Sequence, residues 1–178
     1  MAKKNPPPKS LASLLAGGDR RSLGRVNAVI TLLRNNGRLF PELLQFMWSD
    51  DPVVRMRAAD AVEKISAAKH ALLQPFKAEL LGLAEETHQQ EVQWHLALML
   101  PRLRLTGTER QRAVAGLKGY LQSRSSIVKT FALQGLAEFA GRDEELRTEV
   151  LEIIMQASRN GTAAMKARAR KLLASWPK

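Results

Sequence analysis

The chain has 178 residues, of which 45% are hydrophobic and 25% charged, and its formal net charge is +11. A chain of this length buries roughly 70% of its unfolded surface and needs no covalent staple; with no cysteine, disulfides, thiolate nucleophiles and cysteine-based zinc sites are excluded. Nothing approaches the ~18 consecutive apolar residues of a membrane helix, so no membrane partner is expected, and a reducing cytoplasm suits such a chain.

Residues 1–9, "MAKKNPPPK", read as a basic tail stiffened by prolines. A single domain is expected over 10–178. Its apolar residues recur at helical spacing. Leu11, Leu14 and Leu15 open the pattern. Leu23, Val26, Val29, Ile30 and Leu33 make a second helix, and Leu39, Leu43, Leu44, Phe46 and Met47 a third. Val54, Ala58, Ala61, Val62 and Ile65 form one stripe on a fourth. Six more are expected from about Leu73 to Glu86, Gln89 to Leu100, Thr108 to Gln122, Ser126 to Phe139, Glu144 to Ala157 and Ala163 to Ser175. No stretch alternates as a strand would, so the fold class is all-α.

The breaks carry helix-end chemistry. Asp51 suits an N-cap, with Pro52 at the first helical position. Thr87 with Gln90, and Thr106 with Glu109, have capping-box spacing. Gly37 and Gly141 suit the left-handed residue after a helix. Pro101 should end or kink its helix near Leu100.

The pattern also repeats. "VRMRAADAV" (54–62), "VQWHLALML" (92–100), "VKTFALQGL" (128–136) and "MKARARKLL" (165–173) superpose at offsets of 38, 36 and 37 residues. Small or apolar residues agree at their first, fifth and ninth positions. With "GRVNAVITL" (24–32), five units of two helices cover nearly the whole chain. The unit "LFPELLQFMWSDDPVVRMRAADAVEKI" (39–65), with Asp51-Pro52 at its turn, Val54-Arg55 and Ala58 after it, resembles the HEAT repeat, kin to armadillo. The resemblance covers about residues 10–176. It implies a right-handed α-solenoid of about five HEAT-like helix pairs, whose second helices line the concave side. The resemblance fixes no single activity, because such arrays serve different partners.

On the helix after Pro52, Arg57, Asp60 and Lys64 fall opposite the apolar stripe, and Arg55 lies at its edge, where it would tie neighbouring repeats. Equivalent positions elsewhere include Arg34, Trp94, His95, Arg102, Gln134, Arg168 and Lys171. Stacked helices would gather these ten side chains into one mostly basic inner face. Trp94 would serve there as an anchor for a partner or a platform for a base. Trp48 is expected in the core, and Trp176 as a cover over the end of the stack.

Three histidines lack metal-ligand spacing. No phosphate-binding loop, G-x-S-x-G or H-E-x-x-H motif is present. No catalytic constellation, metal or cofactor is expected. The expected role is a non-catalytic scaffold whose basic concave face engages an acidic protein partner. Nucleic acid is the alternative ligand. Within that alternative, some HEAT-like proteins are alkyl-purine DNA glycosylases using a basic groove with Trp and Asp; the similarity in repeats and charge would make Asp60 and Trp94 the pair concerned.

Overall fold

Side-chain caps decide where most of the helices begin. In the computed structural model, which describes residues 10–17, 19 and 22–176, Ser10 accepts from Ser13 N and opens α1 (Leu11–Leu15). α2 (Val26–Asn35) and α3 (Phe40–Gln45) follow. Asp51 Oδ1 accepts from Val53 N at 2.8 Å, and Pro52, whose missing N–H is no loss there, opens α4 (Pro52–Ala68). Then come α5 (Lys77–Glu86), α6 (Gln90–Met99), α7 (Gly107–Tyr120), α8 (Ser126–Ala140), α9 (Glu144–Asn160) and α10 (Ala163–Ala174). Thr106 and Glu109 form the full capping box of α7. Ser125, Asp143 and Thr162 cap the last three helices. Among the described residues there are ten α-helices and no strand, as an all-α reading requires. The expected tail, 1–9, lies outside them.

Several boundaries differ from expectation. α5 starts at Lys77, because the seven residues before it, His70–Phe76, take the tighter 3-10 form around Pro75, which has no N–H for an α-helical bond. Thr87 forms no capping box: its hydroxyl accepts from Gln89 N at 3.3 Å, and Gln89 is the N-cap of α6. Gly37 starts a 3-10 turn rather than closing α2. Gly141 closes α8 with a right-handed φ of −62°. Left-handed glycines among the described residues are Gly17 and Gly24. α6 stops at Met99, and Leu100–Arg102 forms a 3-10 turn, as Pro101 demands.

The chain divides into two compact units, Met1–Ile65 and Ser66–Lys178. In the first, α1 packs on α2. Leu11, Leu15, Val29, Phe40, Leu43, Leu44 and Met47 are buried there, with Ala58, Ala61 and Val62 of α4. In the second, α6, α8 and α10 lie side by side, α6 against α8 and α8 against α10. α5 lies against α7, and α9 packs on both α8 and α10. The α6–α8 crossing is close enough to need a glycine: a Cβ on Gly135 would collide with the carbonyl oxygen of Ala97 and sit 2.9 Å from Leu117 Cδ1.

Polar bonds tie this unit together at long, similar sequence separations. Lys77 of α5 meets Glu109 of α7 at 2.8 Å. Arg112 of α7 grips Glu85 of α5 with two bonds of 2.9 Å. Tyr120 donates to Ala84 O at 2.7 Å. Lys118 of α7 reaches Glu149 of α9 at 2.5 Å, and Arg110 reaches Asp143, the α9 cap, at 2.7 Å. Arg168 of α10 donates to Gln134 of α8 at 2.9 Å.

Candidate binding surface

The first unit holds four of the ten expected face residues, and two are not on its surface. Arg34 is exposed in the last turn of α2. Arg57 is 1% exposed. Its guanidinium donates from Nε to Ser22 O (3.1 Å), from Nη1 to Leu15 O (2.8 Å) and Gly17 O, and from Nη2 to Asp19 O (3.1 Å). Gly17, Asp19 and Ser22, between α1 and α2, thus lie against the α4 face that the helical wheel leaves free. A planar fork of five N–H donors suits a ring of carbonyls. Gly24, at φ +55°, lies so near that a Cβ there would be 2.8 Å from Arg57 Cζ. Asp60 is 6% exposed, and its Oδ2 accepts from the exposed Lys64 at 2.8 Å. Arg57 is therefore engaged by this ring of carbonyls, and Asp60 is buried with Lys64 as a charged partner. Arg55 donates to Ser49 O at 2.6 Å and Asp50 O at 3.2 Å, so it fastens the turn before its own helix. Trp48 is 38% exposed, outside the core assigned to it from the sequence.

The second unit holds the other six. Trp94 on α6 is half-buried, and its indole donates to His95 Nε2 at 3.1 Å. His95 is 6% exposed, and its Nδ1 lies 2.6 Å from Glu91 O. An indole N–H can only donate, so Nε2 is the acceptor and Nδ1 carries the proton. His95 is thus a buried side chain engaged at both ring nitrogens. Arg102 donates to Ser66 Oγ at 2.9 Å. Gln134 links two charged side chains: its Oε1 accepts from Arg168 of α10, and its Nε2 donates to Glu138 Oε1 of α8 at 2.9 Å. Arg168 also lies over the Phe131 ring, 5.6 Å from its centre, within cation–π range. Lys171 is exposed. The structure therefore joins Gln134 to Arg168 and Trp94 to His95.

Charge divides this unit in a way no local pattern announced. The bases of α5 and α7 are matched with acids of α5, α7 and α9. The Arg112 guanidinium holds the Glu85 carboxyl below the usual glutamate range, and Lys77 does the same to Glu109. Glu85 in turn raises Arg112. By contrast, Lys129 on α8 and Lys166, Arg170 and Lys171 on α10 form no ion pair among the described residues. Sequence alone could count these cations but could not say which are neutralised. Tyr120, also missed, is buried, and that burial pushes its hydroxyl above the usual phenol range.

Among the described residues no three His, Asp or Glu side chains are grouped to hold a metal ion, and no helix is long and apolar enough to cross a membrane. Comparison with protein-family models, curated proteins and solved structures found no match.

Proposed function

We propose that this protein is a HEAT-like α-solenoid and a non-catalytic binding scaffold, and that the cations of α8 and α10 engage an acidic protein partner. The repeat reading is supported by bonds joining residues 27 to 36 apart, from α5 to α7, α7 to α9 and α8 to α10. A period of that order suits stacked helix pairs. The partner reading is carried by the unmatched cations on α8 and α10 beside a row whose bases are already paired. Paired charges repay little to an incoming anion; unpaired ones attract it and steer it. A glycosylase-like role is less favoured, since Asp60 is buried and bonded to Lys64.

The test is a titration with a glutamate-rich helical peptide and, separately, with duplex DNA, each at low and moderate salt. The peptide should bind at low salt. Lys166→Glu with Lys171→Glu should weaken it at least tenfold, as about 1.4 kcal/mol of lost attraction does. No peptide binding at low salt would overturn the proposal. Tight DNA binding with a steep salt dependence would move the assignment to nucleic acid, and release of alkylated bases would move it to an enzyme.

A further inference from the structure

A cavity of about 430 Å³ opens between the end of α7, the first half of α8, the second half of α9 and the start of α10. Small-ligand pockets fall in the same range, roughly 300–1,000 Å³, and combine an apolar wall with a few polar groups. Leu121, Ile153, Ala157 and Met165 supply the apolar wall. Gln122, Gln156 and Asn160 line it too, and their side chains have no hydrogen-bond partner among the described residues. Gly161, Thr162 and two lysines complete it. Lys118 is held by Glu149; Lys129, half-buried, makes no ion pair. No carboxylate belongs to the lining.

We infer that this cavity binds a small amphiphilic carboxylate. Its apolar body lies on Leu121, Ile153, Ala157 and Met165, and its carboxylate meets Lys129, with the free amides donating beside it. The site shares Lys129 with the cations assigned to a protein partner but takes none of those on α10, so the Lys166→Glu, Lys171→Glu variant, which tests the partner, should still bind decanoate. An acid-free lining with one unpaired lysine and three unused amides favours an anion over a cation or a plain hydrocarbon. The apolar wall favours a carboxylate with a hydrocarbon body over a bare inorganic anion.

The experiment is calorimetric titration of the full chain with decanoate below its micelle concentration, with decanol as the uncharged comparison. Decanoate should bind saturably at one site and decanol much more weakly. Lys129→Met should lower decanoate affinity about tenfold or more, in line with loss of a charge-assisted bond. Gln156→Glu, which adds an anion to the lining at nearly constant size, should do the same. Both variants should keep the thermal melt of the parent, since both side chains lie outside the core. Lys69→Met, the same charge change on an exposed residue away from the cavity, should leave binding unaltered. Equal binding of decanol, unsaturable binding of decanoate, or equal loss in Lys69→Met would each overturn the assignment. So would full retention of affinity in Lys129→Met.

Discussion

Arg57 shows how one side chain can gather the backbone of a connection around it. Four carbonyls, of Leu15, Gly17, Asp19 and Ser22, converge on its guanidinium. Removing it strands them, so Arg57→Met should cost about 3 kcal/mol, read as a lower urea midpoint. Arg57→Lys should recover only part, because an ammonium lacks the planar fork. A loss near zero for Arg57→Met would show that the ring of carbonyls is satisfied without it. Tyr120 offers a second test, and it is the only tyrosine in the chain. Its hydroxyl, bonded to Ala84 O, is raised by burial. A raised value in the fold means the stabilisation is complete below the ordinary phenol range, near 10, and drains as pH climbs above it, when the unfolded chain loses its proton more readily. The near-ultraviolet phenolate band should therefore stay absent through that range and appear together with unfolding. A phenolate band rising at pH 10 in a still-helical protein would contradict this.

At the scale of elements, the α6–α8 and α5–α7 pairs are held differently. The first depends on close approach. Gly135→Ala would press against Ala97 O and Leu117 and should cost about 1–3 kcal/mol by forced separation, measured by thermal melting; an unchanged melt would mean that the helices part freely. The second is stitched by charge. Glu85 and Glu109 are both lowered, so their contribution is full above the ordinary glutamate range and lost as pH falls through their native values. Carboxyl NMR titrations should find both groups ionising below model-peptide glutamate, and ordinary values would refute the pairing. The helices themselves were legible in the sequence, since periodicity and caps are local: Asp51-Pro52 and Thr106 with Glu109 sit where their chemistry placed them. The α5 start was not, because Pro75 tightens the preceding turn. Nor was the burial of Arg57, Asp60 and His95. A helical wheel marks the side away from the apolar stripe, not what another segment lays over it. The charge pairs were out of reach for the same reason, their members lying some 30 residues apart in the chain.

For the whole molecule, the +11 charge is less telling than its distribution between matched and unmatched sites. Exposed lysines and arginines without partners feel the medium fully, and at 0.1 M salt their reach is about 10 Å. Affinity for an acidic peptide should thus fall between low salt and 0.1 M, mainly through slower association. Salt-independent affinity would point to an apolar contact instead. The ties between α5 and α7, α7 and α9, and α8 and α10 carry another consequence, for the order in which the nascent chain matures. Arg112 cannot reach Glu85, nor Lys118 reach Glu149, until 27 to 31 more residues have been made. At ribosomal speeds of about 5–20 residues per second, each helix waits roughly 1–6 s for the one that secures it. Each such wait ends within the span of a single helix pair, so α5 can be locked in place while α10 is still being synthesised.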